Sequence, residues 1–163
     1  MPKIGKAGVA SWILVAAWVF VIFSFSSQSG EGSSKQSSRV IEAVAAVTYP
    51  SFHELEPSLK QEIINSLQLP VRKLAHLLEY ALLGCLLYFA LESVNRRGIT
   101  KHKVLLALVC CFVLAVLDEW CQSLSPGRAP GAVDVMIDFA GAFAGICFGI
   151  ISKKIFCAIR SLK

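Results

Sequence analysis

Charge is what this chain of 163 residues has little of: Asp, Glu, Lys and Arg make up 17% of it, and hydrophobic residues 55%. Soluble domains carry about 25% charged residues, so an ordinary water-soluble domain is excluded. Paired cysteines are also missing. The six thiols (Cys85, Cys110, Cys111, Cys121, Cys147, Cys157) form no CxxC and fall mostly inside apolar runs. That argues against a disulfide framework and reads them as small packing residues. No HExxH, nucleophile elbow or other established catalytic signature occurs either.

Long apolar runs take the place of these features. Four of them, roughly 8–27, 74–92, 104–121 and 133–152, are long enough, or nearly so, to cross a hydrocarbon core that needs about 20 helical residues. The expected fold is an all-α membrane protein: a four-helix transmembrane bundle forming one domain over residues 1–163. The N-terminal MPKIGKAGVASWILVAAWVFVIFSFSSQ resembles a signal peptide, but its run exceeds a typical h-region and no A-x-A site follows. It reads as an uncleaved first helix.

Basic residues set the orientation. Lys3 and Lys6 precede helix one; Arg96, Arg97, Lys101 and Lys103 crowd the link between helices two and three; Lys153, Lys154, Arg160 and Lys163 follow helix four. Acids scarcely balance them, whereas Lys35, Arg39 and Lys60 on the other side are interspersed with glutamates. Both termini are therefore expected in the cytoplasm and residues 28–71 outside. The net charge of +5 reports topology and contact with anionic lipid, not nucleic-acid binding. The tail IFCAIRSLK reads as amphipathic, on the inner leaflet.

The exterior segment opens with QSGEGSSKQSS, which reads as flexible. Two short amphipathic helices are expected after it, in RVIEAVAAVTY and PSLKQEIINSL, with apolar residues at helical spacing. Pro70 then marks the start of helix two. His53 reads as a solvated loop residue, because its neighbours lack metal-ligand spacing.

The polar residues of the spans all lie at one depth. At 100° per residue, Arg72, His76 and Glu79 fall within about 60° on one face of helix two, near its outer end. Helix three ends in VLDEWCQSLSPGRAPG, where Asp118 and Gln122 share a face, with Glu119 to one side. On helix four, Asp134, Asp138, Gly141, Gly145 and Gly149 share a narrow face, and its glycines allow close approach of a neighbour that buries both aspartates. Helix one adds Ser24, Ser27 and Gln28.

Ionisable groups inside a membrane are costly and usually functional, although structural pairing remains an alternative. Five carboxylates (Glu79, Asp118, Glu119, Asp134, Asp138) meet three cations (Arg72, Lys73, Arg128). The acidic excess requires raised carboxyl pKa values or a bound cation.

In FSSQ (25–28), RKLAHLLEYALLG (72–84), DEWCQ followed by PGR, and DVMIDFAG, the chain resembles the VanZ-like family of bacterial membrane proteins. Cys121 departs from the pattern, since members often carry His there. The family's name comes from members linked to resistance to the glycopeptide teicoplanin. The resemblance implies a bacterial cell-envelope setting; the site residues themselves make membrane lipids or lipid-linked envelope precursors the expected partners.

Two functional readings stay open. In the first, the protein is an enzyme acting on an envelope lipid or wall-precursor head group. The catalytic candidates are His76, Glu79, Asp118, Glu119, Asp134 and Asp138, with a divalent metal on ligands drawn from His76, Glu79, Asp118, Asp134 and Asp138. Arg72, Lys73, Gln122, Arg128, Ser27 and Gln28 would bind substrate, the basic residues taking its phosphate. In the second, the same crevice holds a lipid phosphate, wall precursor or lipophilic antibiotic without chemistry. A transporter is disfavoured, because no polar path continues inward and no inverted repeat occurs.

Overall fold

In the computed structural model, which describes residues 5–94, 97–129 and 131–161, every regular element is helical among the described residues. Five α-helices follow in order: α1 (Lys6–Ser26), α2 (Gly30–Thr48), α3 (Pro57–Glu92), α4 (Arg97–Ser123) and α5 (Ala132–Ser161), with a 3₁₀ turn at Pro50–Glu54. Four of them, all but α2, are long and apolar enough to cross a membrane. All six cysteines are free thiols. Lys3, Arg96, Pro130 and Lys163, used above for topology and the turn, lie outside the described residues, as do the side chains of Arg97 and Lys101.

The segment between α1 and α3 is more ordered than its composition suggests. QSGEGSSKQSS is helical from Gly30 onward. Ser29 caps the helix by accepting the Gly32 N–H at 3.2 Å. Glu31 and Lys35 pair at 2.7 Å one turn apart, and this holds the Glu31 carboxyl below its ordinary range. Tertiary contact supplies the rest: Gly30 donates its N–H to the Pro126 carbonyl at 2.9 Å, and a Cβ at Gly30 would collide with the Gly127 carbonyl. Gly127 itself has φ +75°, a left-handed conformation that favours glycine. Ser33, Ser37 and Ile41 form the buried face of α2.

The second amphipathic stretch is not a separate helix. It runs through Pro70 into the span as one helix of 36 residues, about 54 Å long at 1.5 Å per residue. The hydrocarbon core is only about 30 Å thick, so α3 is longer than a membrane crossing needs. The missing proline N–H removes one backbone hydrogen bond. Contacts with α2 and the 3₁₀ turn offset this: Ile64 packs with Ile41 and Phe52 in a small separate core, and Gln68 donates to Ser38 Oγ at 3.0 Å.

The main core gathers Ile22 of α1, Tyr80, Leu83 and Leu87 of α3, Cys111 and Ala115 of α4, and Ala142 and Ile146 of α5. Helices α3 and α5 touch backbone to backbone. A Cβ at Gly141, Gly145 or Gly84 would collide with the carbonyl oxygen of Leu77, Ala81 or Ala142, respectively. At the end of the bundle away from α2, the Glu92 carboxylate ties three helices together. It accepts from Lys103 of α4 through one oxygen and from Lys153 of α5 at 2.5 Å through the other.

Candidate functional site

The glycine contact between α3 and α5 sets the geometry at the opposite end. With the two backbones pressed together, His76 and Asp138 face each other across the seam, Nδ1 to Oδ1 at 3.6 Å. Asp118 reaches the same point from α4. One ligand atom from each of His76, Asp118 and Asp138 lies within 4.8 Å of the other two. Both aspartates have no exposed surface (0%).

The two carboxylates are supported differently. Asp118 accepts from Ser26 Oγ of α1 through one oxygen and from Gln122 Nε2 at 3.1 Å through the other. Gln122 in turn accepts from Arg128 Nη1 at 2.9 Å, and Arg128 Nη2 donates to the Phe25 carbonyl at 3.1 Å. Burial, followed by the nearby Arg72 charge, holds the Arg128 guanidinium below its ordinary range. Asp138 has none of this support. Neither of its oxygens has a hydrogen-bond partner among the described residues; nor do His76 Nδ1 and the Tyr80 hydroxyl. Tyr80 is fully buried one turn beyond His76 and within electrostatic range of both aspartates. Buried polar atoms are nearly always paired, yet the Asp138 carboxylate, beside a second carboxylate and an imidazole, has no hydrogen bond of its own among the described residues.

The remaining charged groups divide by packing. Lys73 pairs with Asp134 at 2.6 Å at the partly exposed rim. Glu119 accepts the Gly131 N–H at 2.5 Å, which fastens the start of α5. Glu79 sits off the cluster: its backbone carbonyl accepts from Trp18 Nε1 at 2.9 Å, and its side chain lines an adjoining cavity of about 530 Å³. Arg72, Arg128 and His76 line that cavity too, along with Phe25, Val40, Leu74 and Leu78. His76 thus borders both the cavity and the carboxylate pair behind it.

Of the sequence-derived candidates, His76, Asp118 and Asp138 come together, with Gln122 and Arg128 supporting Asp118. Glu79 and Arg72 face the cavity. Lys73 and Asp134 neutralise each other, and Glu119 braces a loop. Ser27 and Ser24 are exposed, their hydroxyls donating to the carbonyls of Phe23 and Phe20 in their own helix. Gln28 is half-buried, with its side chain near Gly32 at the start of α2. The helix-one hydroxyl that reaches the site belongs to Ser26. Composition contains no cue to this, because α1 is apolar on all sides and adjacent residues point 100° apart. Tyr80 was hidden for a related reason, since a tyrosine in an apolar run looks like core. Its spacing of four from His76 was the available signal.

These donors suit a hard or borderline divalent ion: two carboxylate oxygens and one imidazole nitrogen, on three helices. Neighbouring ligands on such an ion lie about 3 Å apart, a modest contraction of the observed cluster.

Comparisons with known proteins agree with this architecture in part. A sequence profile described as VanZ/LLP1 matches residues 11–153. Neither the curated proteins nor the solved structures yield a match. The profile covers α1, α2 and α3 almost whole, all of α4 and most of α5, and so every residue of the buried cluster. The chain therefore belongs to the VanZ/LLP1 family, whose name links it to teicoplanin resistance.

Proposed function

We propose that this protein binds a divalent cation through His76, Asp118 and Asp138 and uses it on the phosphate-bearing head group of an envelope lipid or lipid-linked wall precursor. The observation that carries this reading is Asp138: a fully buried carboxylate with neither oxygen hydrogen-bonded among the described residues, beside a second buried carboxylate and an imidazole. Two adjacent unneutralised carboxylates in a low-dielectric interior are strongly unfavourable unless a proton or a cation offsets them. The basic bias of the two terminal segments supports a cytoplasmic location for both termini, with this site at the outer leaflet of a bacterial membrane.

The residues would divide the work as follows. Ser26, Gln122 and Arg128 fix the rotamer of Asp118, so it needs no reorganisation when a ligand arrives. Arg72 and Arg128 bind phosphate oxygens in the cavity. Glu79 faces that cavity free of any hydrogen bond to its carboxylate among the described residues, and so can accept a proton from an attacking hydroxyl or water. The cation, when bound, would supply Lewis-acid activation of a phosphoryl oxygen. Lys73 and Asp134 hold α3 to α5 at the rim and take no part in the chemistry.

A second reading, a binder without turnover, is favoured by the cavity itself, whose arginines and apolar walls can hold a lipid phosphate unaided. The experiment is to incorporate the protein into neutral lipid nanodiscs with a phosphorylated long-chain lipid and follow the head group by ³¹P NMR, with and without EDTA. New phosphorus signals that EDTA and Asp138→Asn both abolish support the enzyme. A shifted or broadened signal without a new product supports the binder. An unchanged spectrum contradicts both.

A further inference from the structure

The cavity beside His76 has the opposite charge to the cluster behind it. Arg39 from α2, Arg72 from α3 and Arg128 from the α4–α5 loop all line it, against the single carboxylate of Glu79. Among the described residues, neither Arg39 nor Arg72 has an ion pair or hydrogen bond, and Arg128 keeps its Nε buried and unpartnered. Lys73, next to Arg72 in sequence, is already neutralised by Asp134. Three guanidinium groups from three separate elements therefore converge on a cavity whose lining carries one carboxylate, an arrangement that suits an anion.

The other walls are apolar. Phe25, Val40, Leu74 and Leu78 line the cavity, and Leu74 and Leu78, one turn apart on a membrane-spanning helix, are 55% and 57% exposed. The cavity thus lies between α2 and α3 with an exposed apolar edge. A soluble phosphate would use the arginines and gain nothing from this wall, whereas a lipid would use both.

We infer that the cavity is a lateral binding site for a lipid with an anionic phosphate head group, its chain along Val40, Leu74 and Leu78 and its phosphate among Arg39, Arg72 and Arg128. This names the substrate class of the function proposed above and rests on that reading for any chemistry, although lipid binding itself requires no metal. It also gives α2 a role: an amphipathic helix fastened at its start by Gly30 against Gly127, it carries Arg39 and Val40 into the cavity wall.

The test is the anisotropy of a fluorescent hexadecyl phosphate with the purified full-length protein in maltoside micelles. EDTA is present throughout, so failure of the metal reading leaves the result untouched. Saturable binding is expected, displaced by unlabelled hexadecyl phosphate but not by glycerol phosphate or hexadecylphosphocholine. A charge-assisted hydrogen bond contributes about 1.5–3 kcal/mol, so Arg39→Gln and Arg72→Gln should each weaken binding about tenfold or more. Arg39 is exposed on α2, which lets its variant fold normally, as circular dichroism would verify. Absence of saturable binding, or wild-type affinity in both arginine variants, would overturn the inference. Equal competition by glycerol phosphate would mean a soluble ligand, and equal competition by the phosphocholine lipid would mean unspecific chain contact. Either overturns it as well.

Discussion

His76 and Asp138 stand 3.6 Å apart across the seam between α3 and α5, Nδ1 to Oδ1, and neither of these two atoms has a hydrogen-bond partner among the described residues. The pair exists because glycine on α5 lets the two helices touch at backbone distance. Local sequence, helix packing and candidate chemistry meet at this contact.

The seam itself can be tested. A Cβ at Gly145 would collide with the Ala81 backbone carbonyl, which cannot move aside as a flexible side chain can. Gly145→Ala should therefore lower stability by about 1–3 kcal/mol, as overpacking does. At Gly32 the nearest atom to such a Cβ is Ser29 Oγ at 3.5 Å, an ordinary contact. Gly32→Ala should be neutral or stabilising by up to about 1 kcal/mol. Thermal melts of the two variants in one detergent compare them directly; equal melting temperatures would contradict the close approach.

Tyr80→Phe separates a structural tyrosine from one that belongs to the site. Its buried hydroxyl is unpartnered among the described residues, so its removal without metal should leave stability unchanged or raise it by about 1–3 kcal/mol, the cost of an unsatisfied buried group. With a divalent ion that advantage should shrink. A ligand at a hundred times its Kd stabilises by about 2.7 kcal/mol, and losing a hydroxyl that turns to a ligating carboxylate only when the ion binds would weaken metal binding about 10- to 100-fold. The increase in melting temperature on adding Mn²⁺ should therefore shrink in the variant. An identical increase would place Tyr80 outside the site.

At the far end, Glu92→Gln leaves Lys103 and Lys153 without their shared carboxylate. These groups are partly exposed, so the expected loss is about 1 kcal/mol, diminishing in high salt. Melts at low and high ionic strength measure it; a loss independent of salt would mean that Glu92 acts through packing.

Topology is a separate prediction. With native cysteines replaced, Ser34→Cys on α2 should react with a membrane-impermeant maleimide added to intact cells. Ser161→Cys at the end of α5 should react only after lysis. The reverse pattern would put the candidate site on the cytoplasmic face.

Much of this architecture could be read from the sequence because both of its signals are simple periods. Apolar run length marked the four membrane-crossing helices, and the 100° turn placed His76, Asp118 and Asp138 on inward faces at one depth. What could not be read depended on contacts between elements. The Gly- and Ser-rich start of α2 looks flexible until Gly127 packs on Gly30. Pro70 looks like a boundary until α2 supports the helix on its far side. Lys73 and Asp134 look like site residues until they are seen to neutralise each other, and the rotation of α1, which brings in Ser26 and leaves Ser27 exposed, follows from packing alone. The role of Glu92 is invisible in the sequence, because its two lysines come from other helices.

The account depends on a cation at His76, Asp118 and Asp138, and electron paramagnetic resonance of Mn²⁺ titrated into the purified protein after EDTA treatment tests that most directly. Wild type should remove one equivalent of Mn²⁺ from the free six-line signal. Asp138→Asn and His76→Gln should remove none, while retaining the helical circular dichroism of wild type. No uptake by wild type, or undiminished uptake by both variants, would contradict the account.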